Sequence, residues 1–254
     1  MSPPSLVTQL RGHLSRACYP VLGRLVGLAL RHRLRVGDCV VDTNSPHIDP
    51  VTVSRMFLRR YEVPELRFAR ERLPRDLDIV ELGASIGVIT AHAARRLLPG
   101  RRLVAVEANP RLLPLLRATL ATNAPSCDLT ILNLAVDYSG APTVHLDISP
   151  VHTNSRLGPA GVAVAATTLS GLLARCGLHQ IALIADIEGA ELGLILHDAA
   201  ALQSVQFLLI ECHTVENAGD LWTPARMQAA LVRDHGFALQ AAHSPVYVFT
   251  RPAA

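Results

Sequence analysis

Short apolar runs alternate with amphipathic stretches through most of the chain after residue 77. A short apolar run is typical of a strand buried on both faces, and apolar residues spaced three and four apart are typical of a helix packed on one face. The pattern predicts strands over 78–82, 102–107, 129–134, 181–186 and 205–211. It predicts helices between these strands over 86–98, 110–123, 168–176 and 190–202.

Strands that alternate with helices are expected to form a parallel sheet covered by helices on both faces. We therefore predict the α/β fold class, with a doubly wound, mostly parallel sheet. Two further strand patterns, over 237–240 and 246–250, predict an antiparallel hairpin that closes one edge of this sheet. Ligands of such sheets bind beyond the carboxyl ends of the strands, where the strand order reverses.

Residues 1–60 precede this alternation and are predicted to form a helical and hairpin extension, with residues 61–254 forming the main domain. The stretch 14–35 mixes apolar residues with five arginines. Its longest uncharged piece is far shorter than the ~20 residues that span a bilayer. We expect a helix here that packs on the main domain, and a weak contact with a membrane surface is the alternative.

The composition describes a globular chain with a sizeable core, since half of its 254 residues are apolar. The net charge of +3 is small and the arginines are scattered, so we expect no nucleic-acid partner. The five cysteines are far apart and form no C-x-x-C pair, which disfavours a zinc site or a disulfide framework. The start of the chain lacks the pattern of a secretion signal. We therefore expect a cytoplasmic location, which also allows peripheral contact with a membrane.

Acidic residues stand at the ends of four predicted strands. They are Glu81, Glu107, Asp186 and Glu211. A carboxylate at the tip of a buried strand is costly unless it has a partner. Because the carboxyl ends of parallel strands meet at one edge of a sheet, these acids predict a site at that edge.

The first acidic strand runs into the sequence G-A-S-I-G, which predicts a tight turn before a helix. Gly83 allows a sharp fold of the backbone and Gly87 allows the helix to approach closely. Ala84 and Ser85 leave room for a ligand against the main chain. The spacing G-x-x-x-G differs from the G-x-G-x-x-G that holds a pyrophosphate, so a dinucleotide is disfavoured.

Glu107 ends the next strand, at the distance of ~20 residues at which a carboxylate accepts hydrogen bonds from ribose hydroxyls. A nucleoside without phosphate, with its sugar on Glu107 and its charged tail near Gly83, corresponds to S-adenosylmethionine. Glu81 is then placed to meet the cationic amino end of that cofactor.

Six short motifs follow one another in the order known from one enzyme family. They are E-L-G-A-S-I-G at 81–87, V-E-A-N-P at 106–110, L-A-V-D-Y-S-G at 134–140, T-T-L-S-G-L-L at 167–173, D-I-E-G-A-E at 186–191 and E-C-H at 211–213. Together they resemble the FkbM-type methyltransferases, a class I, Rossmann-like family that uses S-adenosylmethionine. The resemblance begins at the pair Tyr61 and Glu62.

The resemblance implies a set of cofactor-binding residues at the motif positions, namely Glu81, Gly83, Ala84, Ser85, Gly87, Glu107, Asn109, Ala135 and Asp186. It also implies O-methylation of a hydroxyl on a secondary metabolite or a saccharide, so the expected partner is a small-molecule or glycan acceptor. The family usually has lysine two positions before the Asp of its D-x-E-G motif, where this chain has Ile184. That departure predicts a different substrate or a weakened activity.

An alcohol acceptor needs a base to take its proton, and the candidates follow two strands that are expected to be neighbours. We place His213 first, because the ordinary pKa of histidine suits proton transfer near neutral pH, and Asp186 second. Glu188 and Glu211 complete the candidate catalytic set, whereas Glu191 is expected to interact with a helix dipole. No metal is expected, although carboxylates with an imidazole also suit a divalent ion.

Two other functions remain open at this point. A degenerate domain that binds the cofactor, or nothing, is the non-enzymatic alternative. A nicotinamide dehydrogenase is less favoured, because the third glycine of its fingerprint is missing. The stretch 139–166 is rich in glycine and proline and is predicted to be a substrate-facing loop, in which His152 and Asn154 either contact the acceptor or face solvent.

Overall fold

The computed structural model describes residues 16–148, 156–158 and 161–252. Before the central sheet, a 3₁₀ turn leads into helix α1 (Tyr19–Ala29). An antiparallel pair of strands follows, β1 (Arg33–Val36) and β2 (Cys39–Asp42). Helices α2 (Pro50–Phe57) and α3 (Val63–Arg72) complete this part of the chain.

The rest of the chain alternates between strands and helices, with a group of short strands in its middle. The strands are β3 (Asp78–Leu82), β4 (Arg102–Val106), β5 (Asp128–Leu132), β6 (Ala135–Val136), β7 (Thr143–Asp147), β8 (Arg156–Leu157), β9 (Val162–Thr167), β10 (Ile181–Ala185), β11 (Val205–Glu211), β12 (Val215–Asn217), β13 (Asp220–Trp222), β14 (Ala238–His243) and β15 (Val246–Thr250). The helices are α4 (Val88–Ala94), α5 (Leu113–Asn123), α6 (Leu169–Cys176), α7 (Glu191–His197), α8 (Ala199–Gln203) and α9 (Pro224–Arg233).

A seven-stranded sheet forms the centre of the fold, in the order β14-β15-β11-β10-β3-β4-β5. The strands from β11 to β5 are parallel to their neighbours, and β15 and β14 close the β11 edge as an antiparallel hairpin. This confirms the predicted doubly wound, mostly parallel sheet with its closing hairpin. The strand order reverses between β3 and β10, which is the place where such sheets bind ligands.

The central strands are buried because apolar side chains project from both of their faces. Val80, Leu183 and Leu208 belong to the apolar cluster on one face of the sheet. Ile79 and Ile184 belong to the cluster on the other face. Full burial of each such side chain stabilises the fold by about 1.5–3 kcal/mol, so the strand ends that carry the candidate site are firmly held.

The predicted substrate loop is in part a small sheet. Strands β7 and β9 pair antiparallel, β8 pairs with β7, and β6 pairs with β9. The stretch 139–166, predicted to be a substrate-facing loop, therefore contains strands, whose apolar residues are interrupted by exposed polar ones such as His145. His152 and Asn154 lie outside the described residues.

The helix predicted over 14–35 ends earlier, at Ala29, and strand β1 takes up its last residues. Arg31 and His32 have φ values of 50° and 57°, in the left-handed region, and this turns the chain out of the helix and into the hairpin. The helix predicted over 190–202 is likewise divided, because α7 ends before Asp198 and α8 begins after it.

The N-terminal elements share apolar and polar contacts with the main domain. Val26 of α1 and Met56 of α2 lie in one buried cluster with Ile86. The side chain of Asn123 accepts from the N–H of Val40 and donates to its carbonyl oxygen, both at 2.8 Å. The division at residue 60 remains a prediction. No helix in the described ranges has the length and apolar character needed to cross a bilayer.

Candidate active site

The chain turns sharply where β3 ends. Gly83 has a φ of +85°, a backbone conformation that favours glycine. A Cβ atom at this position would lie 1.8 Å from the carbonyl oxygen of Asp186. The N–H groups of Gly83 and Ala84 donate to the carbonyl oxygen of Val106, at 2.9 and 3.0 Å. The bend is therefore packed between the ends of β10 and β4, and a larger residue does not fit at Gly83.

Gly87 ends the same bend and has a different neighbour. Its φ is +84°, and a Cβ atom there would lie 2.7 Å from Cδ1 of Leu116 on α5. The glycine thus permits the close approach of a helix. Although it was predicted to bind the cofactor, Gly87 does not line the cleft described below.

Glu107 directly follows β4, and its carboxylate points back to the bend. Its Oε2 accepts the N–H of Ser85 at 2.6 Å, and its Oε1 accepts the N–H of Asn109 at 2.7 Å. Burial raises the pKa of Glu107, and the N–H groups of Asn109 and Ser85 oppose that rise by stabilising the ionised form. Each carboxylate oxygen retains a further lone pair, so Glu107 has acceptor capacity left for a ligand.

Asn109 was also predicted to bind the cofactor, but it does not reach the cleft. Its backbone N–H holds Glu107, and its side-chain oxygen accepts the N–H of Arg111 at 3.1 Å. The structure therefore gives Asn109 a role in positioning Glu107.

Glu81 lies on β3 with only 3 % of its surface exposed. Its Oε2 has no hydrogen-bond partner among the described residues. Burial raises the pKa of Glu81 to about 8, and the charges of Glu62 and Glu107 act in the same direction. A buried carboxyl oxygen without a partner is costly, and a ligand that donates to it would remove that cost.

A cleft opens between the bend and the end of β10, and it encloses about 1140 Å³ with its open mouth included. Apolar side chains such as Leu146 and Ile184 form part of its wall. Most of the predicted cofactor contacts line this cleft, namely Glu81, Gly83, Ala84, Ser85, Glu107, Ala135 and Asp186.

The turn after β10 is held by a buried carboxylate. Glu191 is completely buried. It accepts the N–H of Ile187 at 2.7 Å and the N–H of Gly189 at 2.9 Å. These bonds fix a turn in which Glu188 has a left-handed φ of 54°. Glu191 therefore shapes the loop that carries Asp186 and Glu188, rather than only interacting with a helix dipole as predicted.

His213 follows β11 and is surrounded by carboxylates. Its Nδ1 lies 3.2 Å from Oε1 of Glu191. Its Nε2 lies 3.6 Å from Glu188 Oε2, 3.9 Å from Asp186 Oδ1 and 3.9 Å from Glu211 Oε1. The structure thus brings the four predicted catalytic residues together. When Nδ1–H donates to Glu191, Nε2 is the ring atom that exchanges a proton with its surroundings.

These neighbours change the proton affinity of the imidazole. Burial alone lowers the pKa of His213, but the hydrogen bond and charge of Glu191, followed by the charges of Asp186 and Glu188, raise it to about 9. Burial and the charge of Glu211 raise the pKa of Asp186 well above its ordinary value, and His213 opposes that rise. The imidazole is therefore a stronger base than a free histidine.

A second cleft adjoins the first on the side of His213. Its polar lining includes Tyr138 and Thr214. The Tyr138 hydroxyl lies 3.0 Å from Oδ2 of Asp198 and donates to it. The two clefts share Val136, Ile187, Glu188 and Ala190. His213 lines the second cleft, and Glu188, whose Oε2 lies 3.6 Å from Nε2 of the imidazole, lines both.

The sequence profile described as "Methyltransferase FkbM domain" matches residues 81–239, which is more than half of the chain. The chain belongs to the FkbM methyltransferase family. The matched range contains the bend, Glu107, the turn after β10 and His213, so the site described above is a site of this FkbM methyltransferase. The nicotinamide dehydrogenase alternative is left without support.

Solved structures resemble the fold at low sequence identity. Precorrin-6y C5,15-methyltransferase from Geobacter metallireducens is 16 % identical over 76 % of this chain and 89 % of its own, with a TM-score of 0.43. Aeropyrum pernix fibrillarin, in complex with S-adenosylmethionine, is 13 % identical over 74 % of each chain, with a TM-score of 0.44. Magnesium protoporphyrin IX methyltransferase from Synechocystis, also with bound S-adenosylmethionine, is 8 % identical over 99 % of this chain and 100 % of its own, with a TM-score of 0.46. No curated protein matches the chain.

Members of the FkbM family take their methyl group from S-adenosylmethionine, which is therefore the cofactor of this methyltransferase. The first cleft fits this molecule in two respects. The carboxylate of Glu107 offers acceptor atoms for hydroxyl groups, and the buried Oε2 of Glu81 lacks the donor that a cationic amino group would supply. The bend at Gly83 carries no side chain that would occupy the space between them.

Two glutamates of the first cleft were not among the predicted site residues. Glu62 and Glu65 stand at the start of α3, on the cleft wall shared with Glu211. Burial raises the pKa of Glu62 to about 7. Burial and the neighbouring carboxyl of Glu65 raise the pKa of Glu211 to about 7. The resemblance to the family includes Glu62. Glu65 lies in the first turn of α3, where acids are common, so the sequence does not distinguish it as a site residue.

Three side chains of the site are also close enough together to bind one metal ion. Ligand atoms of Asp186, Glu188 and His213 lie within 4.8 Å of one another. The same atoms form ion pairs when His213 is protonated. The expectation that no metal takes part stays a prediction.

Proposed function

We propose that this FkbM methyltransferase transfers the methyl group to a hydroxyl oxygen of a small-molecule or saccharide acceptor. One observation carries the proposal: Nδ1 of His213 lies 3.2 Å from a buried carboxylate, and its Nε2 lies 3.6 Å from Glu188, which lines both clefts. A hydroxyl is weakly acidic and must lose its proton during transfer, so it needs a positioned base. A neutral amine reacts through its free lone pair and needs no base before it attacks.

The first cleft holds the methyl donor in this proposal. Glu107 would accept hydrogen bonds from the ribose hydroxyls, and Glu81 would accept one from the cationic amino group. When bound, S-adenosylmethionine supplies an electrophilic methyl group on its sulfonium. Ala135 and Leu146 provide an apolar wall that suits an adenine ring.

His213 serves as the base for the acceptor hydroxyl. Its Nε2 takes the proton, and its Nδ1–H remains with Glu191. The carboxylates of Asp186 and Glu188 stabilise the imidazolium that forms. A positioned base contributes about 10²–10⁴-fold, and alignment of the reacting groups is worth about 7–11 kcal/mol of the barrier.

The second cleft receives the acceptor. Polar groups that suit hydroxyls line it, including Tyr138, Ser139 and Thr214. Its described lining contains the carboxylates of Asp137 and Glu216 but no arginine. Because anionic groups would be repelled there, an uncharged hydroxylated acceptor is favoured over a phosphorylated or acidic one. The expectation of no nucleic-acid substrate remains a prediction.

The identity of the bond formed tests this function. The purified protein is incubated with methyl-labelled S-adenosylmethionine and a panel of hydroxylated saccharides and polyketides, and the products are treated with mild base. We expect label in a methyl ether, which resists the treatment. Label in an N-methyl or C-methyl product, or in a methyl ester that the base hydrolyses, would contradict the proposal.

A cofactor-binding domain without transfer activity is the second candidate, and Ile184 is the observation that favours it. Ile184 is 5 % exposed and lies opposite Glu81 in the register of β10 and β3, so no cation balances the carboxyls at the position where the family usually has lysine. Binding of S-adenosylhomocysteine together with transfer to none of the acceptors would support this candidate. Turnover that is lost in His213→Asn would exclude it.

A further inference from the structure

Helix α1 presents one face to the protein and another to solvent. Its inner face packs closely, since a Cβ atom at Gly23 would lie 1.8 Å from the carbonyl oxygen of Pro50. On its outer face, Val21, Leu25 and Leu28 are exposed to 61, 61 and 70 %. Their spacing of four and three residues places them in one row, which we call the α1 stripe. Such a row of exposed aliphatic side chains marks an interaction surface more often than isolated ones do.

The chain around the α1 stripe is basic. Residues 16–37 contain five arginines and no acidic residue. Arg24, Arg31 and Arg33 are exposed and make no ion pair within the described ranges. An apolar row bordered by arginines has the character of an amphipathic element that lies on an anionic lipid surface.

A groove continues this surface at the end of α1. It runs between β1, α2, α3 and α4, and the exposed Leu30 stands on its rim. Six arginines line it and define what we call the arginine groove: Arg35, Arg59, Arg67, Arg70, Arg95 and Arg96.

The charge of the arginine groove is largely unbalanced. Its lining contains two acids, Asp38 and Glu71, and Asp38 is paired with Arg70 at 2.9 Å. Arg35 and Arg59 have no carboxylate partner in the part of the chain that the structure describes. Guanidinium groups bind phosphate oxygens through paired N–H donors, so the groove suits phosphate-bearing ligands.

We propose that the α1 stripe and the arginine groove dock this methyltransferase on a membrane surface that contains anionic phospholipid. The stripe enters the interfacial layer, and the groove binds lipid phosphates beside it. A single-stranded nucleic acid would share the phosphates, but it is usually held by exposed aromatic side chains that stack on its bases. The α1 stripe offers only aliphatic groups, which favours lipid. This proposal does not depend on the acceptor or on the base assigned above.

Flotation of the full-length protein with vesicles tests the proposal. One vesicle population is phosphatidylcholine alone, and the other contains equal parts phosphatidylcholine and phosphatidylglycerol. We expect binding to the anionic vesicles only, and we expect it to weaken as salt is added, because each arginine at an anionic surface contributes about fivefold in affinity.

Two pairs of substitutions separate the two parts of the surface. Leu25→Ser with Leu28→Ser removes the apolar contact, and we expect at least about tenfold weaker binding. Arg35→Glu with Arg59→Glu reverses two charges, and we expect more than about twentyfold weaker binding. The matched controls change the same residue types elsewhere on the surface: Leu221→Ser on β13, and Arg111→Glu with Arg117→Glu near α5. They should bind as the wild type does.

Thermal melts and titration with S-adenosylhomocysteine show whether each variant keeps its fold and its cofactor site. We expect no change in either, because all the substituted residues are exposed. Absence of binding to anionic vesicles would overturn the proposal. Equal loss in the control variants would overturn it too. So would binding of single-stranded RNA without vesicle binding, or a stable dimer that Leu25→Ser with Leu28→Ser dissociates without any vesicle binding.

Discussion

Four carboxylates surround the imidazole of His213, and their effect on its pKa determines how the residue can act. The pKa is raised to about 9. At neutral pH most molecules therefore carry an imidazolium, which cannot accept a proton from a hydroxyl. The small neutral fraction is a strong base, so the same carboxylates that reduce the active fraction increase its basicity.

The rate of methyl transfer should consequently rise with pH, with a midpoint near pH 9. The measurement is kcat as a function of pH under saturating donor and acceptor. Glu191→Gln, which removes the charge nearest Nδ1, should move the midpoint of this rise to lower pH. His213→Asn should lower kcat by about 10²–10⁴-fold and remove the rise. A pH-independent rate, or a midpoint that Glu191→Gln leaves in place, would exclude His213 as the base.

At the scale of elements, the bend between β3 and α4 depends on contacts across the sheet. Gly83 and Gly100 have nearly the same φ, +85° and +83°. A Cβ atom added at Gly83 would lie 1.8 Å from the carbonyl oxygen of Asp186, whereas one added at Gly100 would meet no atom of the described residues within 4 Å. The two positions therefore separate backbone strain from steric overlap.

Gly100→Ala should lower the unfolding free energy by about 1–2 kcal/mol, because a residue with a Cβ atom is strained in the left-handed conformation. Gly83→Ala should cost at least about 2 kcal/mol more and should also weaken binding of S-adenosylhomocysteine, because the ends of β3 and β10 must move apart. Urea unfolding and cofactor titration of both variants provide the comparison. Equal costs in the two variants would show that the bend is not packed on β10 in solution.

The sequence predicted some elements closely and missed others for identifiable reasons. Strands β3 and β11 have the predicted bounds, because each is a nearly continuous apolar run. The sequence predicts a loop where β7 and β9 lie, because their buried residues, Leu146 and Val164, alternate with more exposed ones over a short span. Such a pattern contains too few apolar positions to distinguish a strand from an irregular segment.

Some residues of the candidate site can likewise be predicted from the sequence, and others cannot. Glu81, Glu107 and Asp186 were predictable because each ends a strand of the same parallel sheet, and topology alone brings such ends together. Glu65 reaches the cleft from a helix that packs across the sheet edge, and no local pattern indicates that packing. The sequence indicates only that Glu191 is an acid in the first turn of a helix. In the fold, its carboxylate contacts the imidazole of His213.

For the whole molecule, the carboxyl-rich cleft makes stability depend on pH. The folded protein raises the pKa of Glu62 and Glu211 to about 7 and that of Glu81 to about 8, from an ordinary value of 4.5. It raises the pKa of His213 from 6.5 to about 9. In each case the folded state binds the proton more tightly than the unfolded state does, so stability is highest below the unfolded pKa and is lost as pH rises through the folded pKa.

The unfolding free energy of the protein without cofactor should therefore fall, by on the order of several kcal/mol, between about pH 5 and pH 9. Urea unfolding across this range measures the change. Glu81→Gln, which keeps the shape of the side chain and cannot ionise, should make the decline shallower. Stability that increases over this range would contradict the protonation states assigned to the cleft.

The central claim is that the cleft between β3 and β10 binds the methyl donor through Glu107. Calorimetric titration of S-adenosylhomocysteine into the wild type and Glu107→Gln tests it most directly, with Glu71→Gln as the matched control on an exposed surface. Hydrogen bonds to a charged acceptor contribute about 1.5–3 kcal/mol each, so Glu107→Gln should weaken binding by more than about tenfold, and Glu71→Gln should bind as the wild type does. A folded Glu107→Gln protein that binds S-adenosylhomocysteine with wild-type affinity would contradict the claim.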